Sequence, residues 1–101
     1  MEYGIETRCI HGAEGVTRDH SYGSMGTPIY QTATFSHPGV GRSTGYDYSR
    51  ESNPTRSELE KIVTSLEGAY DTVACTSGMA ALSICMELFE PGSHFVCTED
   101  L

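Results

Sequence analysis

Positive charge is scarce in this sequence. Six lysines and arginines stand against fourteen aspartates and glutamates, for a net charge of −8. Nucleic acid requires a basic footprint, and anionic membrane surfaces attract basic segments, so neither is an expected partner. Long apolar runs are missing too: none approaches the ~20 residues of a membrane span. The start, Met1-Glu2-Tyr3-Gly4-Ile5-Glu6, carries acid where a secretory signal has basic residues and then an apolar core. The expected location is cytoplasmic. The four cysteines, Cys9, Cys75, Cys85 and Cys97, form no C-x-x-C pair, and His11, His20, His37 and His94 are scattered singly. No metal-ligand spacing arises, and the thiols are expected to be reduced and mostly buried. Apolar residues make up 38% of the chain with glycine left out, and the 11 glycines bring it close to the usual ~45–50% in which glycine is counted. With 101 residues, the chain holds at most one domain, with a thin core.

The stretch Tyr46-Asp47-Tyr48-Ser49-Arg50-Glu51-Ser52-Asn53-Pro54-Thr55-Arg56 organises the rest. Asn53 can cap a helix whose first position suits Pro54. Thr55 and Glu58 form a capping-box alternative two residues later. The residue before Pro54 is pushed towards extended backbone. In an extended run Tyr46, Tyr48 and Arg50 project from one face. A phenol beside a guanidinium suits a phosphate group. The same residues also read as packing tyrosines and a surface charge.

Residues 1–45 show little periodicity. Glycines at 4, 12, 15, 23, 26, 39, 41 and 45, with Pro28 and Pro38, interrupt the run. Only Thr27 to Phe35 reads as a short extended segment. So long an irregular stretch is either laid on another surface, such as a second subunit, or a loosely ordered tail. From Asn53 the pattern changes. Leu59, Ile62, Val63 and Leu66 recur at helical spacing, with Glu58, Glu60, Lys61 and Ser65 off that stripe, and Gly68 stands where such a helix would end. Thr72 to Thr76 reads as a strand, Met79 to Leu88 as a buried helix, and His94 to Thr98 as a second strand after the Pro91-Gly92 turn. Helix, strand, helix, strand predicts an α/β fold with a right-handed βαβ unit in a parallel sheet. The helix opening at Ser77-Gly78-Met79 presents free N–H groups, which either bind an anion or simply make a tight turn. It is neither a G-x-G-x-x-G fingerprint nor a P-loop.

Taken together, Glu6 to Gly12, Thr27 to Phe35, Tyr46 to Arg50, Asn53 to Arg56, Leu66-Glu67-Gly68 and Ser77 to Ala81 resemble the start of the Cys/Met-metabolism family of pyridoxal-phosphate enzymes. That group includes cystathionine γ-synthase, the cystathionine lyases and methionine γ-lyase. The resemblance implies an incomplete type I (aspartate aminotransferase-like) transferase fold. Residues 1–52 would be an N-terminal arm contacting a neighbouring subunit, and 53–101 the first elements of the cofactor-binding large domain. It implies pyridoxal 5′-phosphate as cofactor, with Tyr48 and Arg50 reaching a neighbour's phosphate and Ser77, Gly78 and Met79 holding the phosphate at home. It also implies a homo-oligomer, a dimer of dimers, acting on a sulfur-containing or homoserine-derived amino acid by β/γ-elimination or γ-replacement.

No catalytic residue is expected in this segment. The family's Schiff-base lysine lies further along the chain, and the one lysine here, Lys61, is explained by an i, i+3 ion pair with Glu58. The chain is therefore read as an N-terminal fragment. Two other readings stand beside it: a non-catalytic phosphate-binding or subunit-interaction module, and a truncated reading frame with no independent role.

Overall fold

In the computed structural model, residues 3–12 and 22–100 are described. Residues 1–2 and 13–21 of the expected arm, with Gly15 and His20, and Leu101 at the end, lie outside them. The described residues form three helices: α1 Ile5–His11, α2 Pro54–Glu67 and α3 Gly78–Glu87. Helix α2 begins and ends where its end signals put it. The Asn53 side chain accepts from the Thr55 N–H at 2.9 Å, and Pro54 takes the first helical position. The capping-box start at Thr55 is not used. At the other end Gly68 turns left-handed (φ 61°, ψ 28°), which costs glycine nothing. Ser77 caps α3 by accepting from the Ala80 N–H at 3.1 Å.

Helix α1 is absent from the sequence-based expectation. Seven residues are too few to show a periodic stripe, and a helix this short is unstable alone. Its order comes from α2. Arg8 donates from Nε and Nη2 to the Ser65 hydroxyl at 3.3 and 3.2 Å. Gly12, buried where α1 ends, lies so near α2 that an added Cβ would meet Ile62 Cγ1 at 3.6 Å. Ser65 and Glu60, expected to face water, are instead half-buried and engaged with other segments. No Glu58–Lys61 ion pair forms, and Lys61 is exposed.

The expected βαβ unit does not form: the described residues contain no strand, only two isolated bridges, Thr34↔Tyr48 and Gly39↔Arg42. A sheet strand needs a neighbour about 4.8 Å away. Residues 72–76 instead turn their N–H groups to side chains: Thr72 to Asp71 Oδ1 at 2.8 Å and Ala74 to Glu60 Oε1 at 2.9 Å. Residues 94–98 are exposed throughout. Helix α3, expected to be buried, presents Met79 at 71% and Leu88 just beyond it at 79% exposure. The thiols follow the same rule: Cys9, Cys85 and Cys97 are exposed and Cys75 is half-buried, against the expectation of burial.

These departures share one cause. No hydrophobic side chain among the described residues is buried. A folded monomer of 11.0 kDa exposes about 5,600 Å² by the usual size scaling, whereas this chain exposes 8709 Å². Its radius of gyration is 17.5 Å, against about 13 Å for a compact chain of this length. The elements are formed by local caps and tied by polar contacts, without a core to close them.

Candidate functional site

The arm reaches α2 through a narrow hairpin-like fold. Thr34 and Tyr48 bridge antiparallel, with Phe35 N–H donating to Asp47 O at 3.1 Å and Ser49 N–H to Ala33 O at 2.8 Å. The Phe35 and Tyr46 rings pack at 5.8 Å between centroids. In the loop that joins them, His37 Nε2 sits 3.6 Å from Asp47 Oδ1, and its Nδ1 lies 2.9 Å from Arg42 O. The hairpin is then fastened to the start of α2. Tyr30 N–H donates to Thr55 Oγ1 at 2.9 Å, and Asn53 Nδ2 donates to Tyr30 O at 3.2 Å and Ser49 Oγ at 2.8 Å.

Tyr48 and Arg50 do not stand on an extended run. The chain turns at Tyr48, whose carbonyl accepts from Glu51 and Ser52 N–H at 3.0 and 2.9 Å. The signal available in the sequence lies just beyond, in Ser52-Asn53-Pro54, a run of turn-forming residues that ends the extended reading. The turn still brings the two side chains together. Arg50 Nη2 donates to the Tyr48 hydroxyl, and Arg50 Cζ lies 5.0 Å from the Tyr48 ring centroid. Tyr46, expected on the same face, packs against Phe35 instead. Arg50 has no carboxylate partner among the described residues. Its guanidinium, steadied by a neighbouring phenol, keeps most of its donors for an anion.

The second half lies at the start of α3. The Ser77 hydroxyl oxygen caps Ala80 N–H, and Ser77 O accepts from Ala81 N–H at 3.1 Å. The Gly78 and Met79 N–H groups have no acceptor among the described residues. An added Cβ at Gly78 would meet nothing within 4 Å, so the approach to these donors is open. Free N–H groups at a helix start, reinforced by the helix dipole, fit a phosphate dianion. The chemistry of both donor sets therefore suits the phosphate of pyridoxal 5′-phosphate. No hydrogen bond or ion pair joins Tyr48 or Arg50 to Ser77, Gly78 or Met79 among the described residues. The chain carries two donor clusters, not one assembled pocket.

The sequence holds one lysine, Lys61. Lys61 is exposed on α2, and no hydrogen bond or ion pair joins it to either cluster among the described residues. Among the described residues no three His, Cys, Asp or Glu side chains are grouped to hold a metal ion, and no helix is long and apolar enough to cross a membrane. An open pocket of about 620 Å³ lies past α3, lined by Met86, Phe89, Pro91 and Phe95 among others. It contains none of the phosphate donors.

Comparison with known proteins gives consistent results. Residues 6–101 match the Cys/Met metabolism PLP-dependent enzyme family. The chain is 47% identical to the cystathionine gamma-lyase of Bacillus subtilis over 96 residues, 95% of this chain and 25% of that protein. Among solved structures it resembles metB from Corynebacterium glutamicum, with a TM-score of 0.78 and 41% identity, over 91% of this chain and 24% of that one. It also resembles the cystathionine gamma synthase of Xanthomonas oryzae pv. oryzae solved in complex with cystathionine, with a TM-score of 0.74 and 32% identity. That match covers 86% of this chain and 22% of the other. The chain thus spans about a quarter of the length of the relatives it matches.

Proposed function

The chain belongs to the Cys/Met metabolism PLP-dependent enzyme family, and on that premise we propose that it is the N-terminal portion of an enzyme of sulfur amino-acid metabolism. The parent enzyme is cystathionine γ-synthase- or cystathionine-lyase-like, of type I fold. It acts in the cytoplasm on a sulfur-containing or homoserine-derived amino acid by β/γ-elimination or γ-replacement. When bound, pyridoxal 5′-phosphate supplies the electron sink for chemistry at the substrate α-carbon.

The part played by these residues is binding and orientation. Residues 1–52 form the arm that lies on a neighbouring subunit of a dimer of dimers, and 53–101 begin the large domain. Tyr48 and Arg50 hold the neighbour's cofactor phosphate from one side. The Ser77 hydroxyl and the Gly78 and Met79 N–H groups hold the home phosphate. No group of this segment moves a proton at the substrate. The observation that carries the reading is the pair of separate donor clusters: an arginine without a carboxylate partner among the described residues at one turn, and two N–H groups without an acceptor among them at another. The exposed arm surface favours assembly with a second copy.

Charge-assisted hydrogen bonds of this kind are worth roughly 1.5–3 kcal/mol each, so removing Arg50 weakens cofactor retention by tenfold or more. Dialysis of the assembled enzyme against cofactor-free buffer, with and without Arg50→Ala, measures this. Equal retention in the two proteins refutes the role of Arg50. One observation favours a second reading, a non-catalytic phosphate-binding or subunit-interaction module: the single lysine is bonded to neither cluster among the described residues. The two readings separate on whether the assembled protein turns over any sulfur-containing or homoserine-derived amino acid.

A further inference from the structure

Helix α2 touches the segments that carry both donor clusters through two of its side chains. At its first turn, Arg56 donates from Nη1 to Ser49 O at 3.3 Å and from Nη2 to Glu51 O. It thereby grips the backbone on either side of Arg50. Arg56 Nε lies 3.8 Å from Glu60 Oε1, with the two side chains 33% and 22% exposed. The same Glu60 oxygen accepts from Ala74 N–H at 2.9 Å. Ala74 is three residues before Ser77, the cap of α3. A continuous polar path thus runs from the Tyr48-to-Glu51 turn, through Arg56 and Glu60, to the segment that delivers Ser77, Gly78 and Met79.

Helix stability does not account for this pair. An arginine in the first turn opposes the helix dipole, and arginine four residues ahead of glutamate is the weaker order for an ion pair along a helix. What the pair gains lies outside α2, in three main-chain groups of two other segments: two carbonyls and one N–H. Main-chain partners fix the path of those segments rather than the placement of mobile side chains. A carboxylate shared by a guanidinium and an N–H is also a charge-assisted contact, the stronger class.

We propose that Arg56 and Glu60 are positioning residues, a strut across α2 that sets the Arg50 turn and the Ser77–Met79 turn relative to each other. The proposal rests on the phosphate reading above for its purpose, but its mechanics are testable without it. Amide hydrogen exchange by NMR on the full chain reads both ends. Glu60→Ala removes the acceptor of Ala74 and releases Arg56. Ala74 exchange should rise about tenfold, the scale of a lost hydrogen bond to a charged group. Glu51 and Ser52, which do not touch Glu60, should also exchange faster, while the Gly12 amide on α1 stays at the wild-type rate. Glu60→Gln, which keeps an acceptor for Ala74, should restore most of the Ala74 protection. Arg56→Lys cannot span two carbonyls and a carboxylate, so it should loosen Glu51, Ser52 and Ala74 together.

Faster exchange at Ala74 alone, with Glu51 and Ser52 unchanged in both Glu60→Ala and Arg56→Lys, overturns the strut. Should Glu60→Ala raise exchange everywhere through loss of structure, Glu60→Gln and Arg56→Lys decide on the same signals. A second arm titrates inorganic phosphate and follows the Gly78 and Met79 amides. Wild-type shifts that need several-fold more phosphate in Arg56→Lys support positioning. Phosphate-induced shifts unaltered by the variant overturn positioning and leave the phosphate reading standing. No shift in the wild type sinks the phosphate reading, and the strut then stands or falls on the exchange rates alone.

Discussion

Asn53 does two jobs with one side chain, and substitution can separate them. Its Oδ1 accepts from Thr55 N–H at 2.9 Å to cap α2, while its Nδ2 donates to Tyr30 O and Ser49 Oγ to hold the arm. Losing an asparagine cap costs about 1 kcal/mol. The two Nδ2 bonds add about 1 kcal/mol together, near the low end for such bonds because the Tyr30 contact is exposed. Asn53→Ala therefore loses about 2 kcal/mol, roughly a thirtyfold shift in the local opening equilibrium. A 14-residue helix is marginal without tertiary support, so ellipticity at 222 nm should fall as well. Asn53→Asp keeps an oxygen for the cap and adds a charge that the helix start favours. It replaces both arm donors with acceptors. The expected signature is a split: with Asp, Thr55 amide exchange stays near wild type while the Tyr30 amide exchanges about fivefold faster, and with Ala both accelerate. Native-state hydrogen exchange by NMR measures all three proteins. A Thr55 amide in Asn53→Ala as protected as in the wild type refutes the cap. The Tyr30 N–H itself donates to Thr55 Oγ1 at 2.9 Å, so it reports whether the arm as a whole stays seated; a Tyr30 amide unmoved in both Asn53→Asp and Asn53→Ala shows that Asn53 does not hold the arm.

Three further outcomes are expected. Gly78→Ala meets open space, so helicity should hold while pyridoxal 5′-phosphate affinity in the assembled enzyme drops, because a methyl group now stands beside the free N–H groups; unchanged affinity argues against phosphate at this turn. Gly68→Ala forces a Cβ into left-handed backbone at φ 61°, a strain of about 1–2 kcal/mol, and should fray the end of α2, read as faster exchange of the Ala69 amide bonded to Thr64 O at 3.0 Å. Finally, a disulfide-exchange reagent without denaturant should titrate Cys9, Cys85 and Cys97 rapidly and Cys75 more slowly; protection of all four in the isolated chain would contradict the exposure seen here.

What could be read from the sequence follows from the range of each interaction. Asn53, Pro54 and Gly68 mark α2 through contacts a few residues long, and the ends of that helix fall where those residues put them. Ser77 marks the start of α3 in the same way. Helix α1 was not legible because its order rests on Arg8 meeting Ser65, 57 positions away. The strands at 72–76 and 94–98 were read from β-prone composition, which describes a residue suited to a sheet and cannot supply the neighbouring strand. The burial of α3 and of the cysteines was inferred from apolarity, and apolar residues are buried only where another surface meets them. Of the candidate site, the pairing of Tyr48 with Arg50 and the open start of α3 could be named from sequence. The turn that delivers Arg50, and the part of Arg56 and Glu60, could not, because their partners are main-chain atoms and carry no side-chain signature.

The fastening of the arm has a consequence for how freely this protein can vary. Asn53, Thr55 and Arg56 engage the arm largely through carbonyls, at Pro28, Tyr30, Ser49 and Glu51. Every amino acid has a carbonyl. The gripped positions can therefore exchange side chains at little expense provided the backbone path survives, while the gripping positions cannot. A saturation library across 28–56 should show that asymmetry: tolerance at Pro28, Tyr30 and Glu51, and a sharp penalty at Asn53 and Arg56.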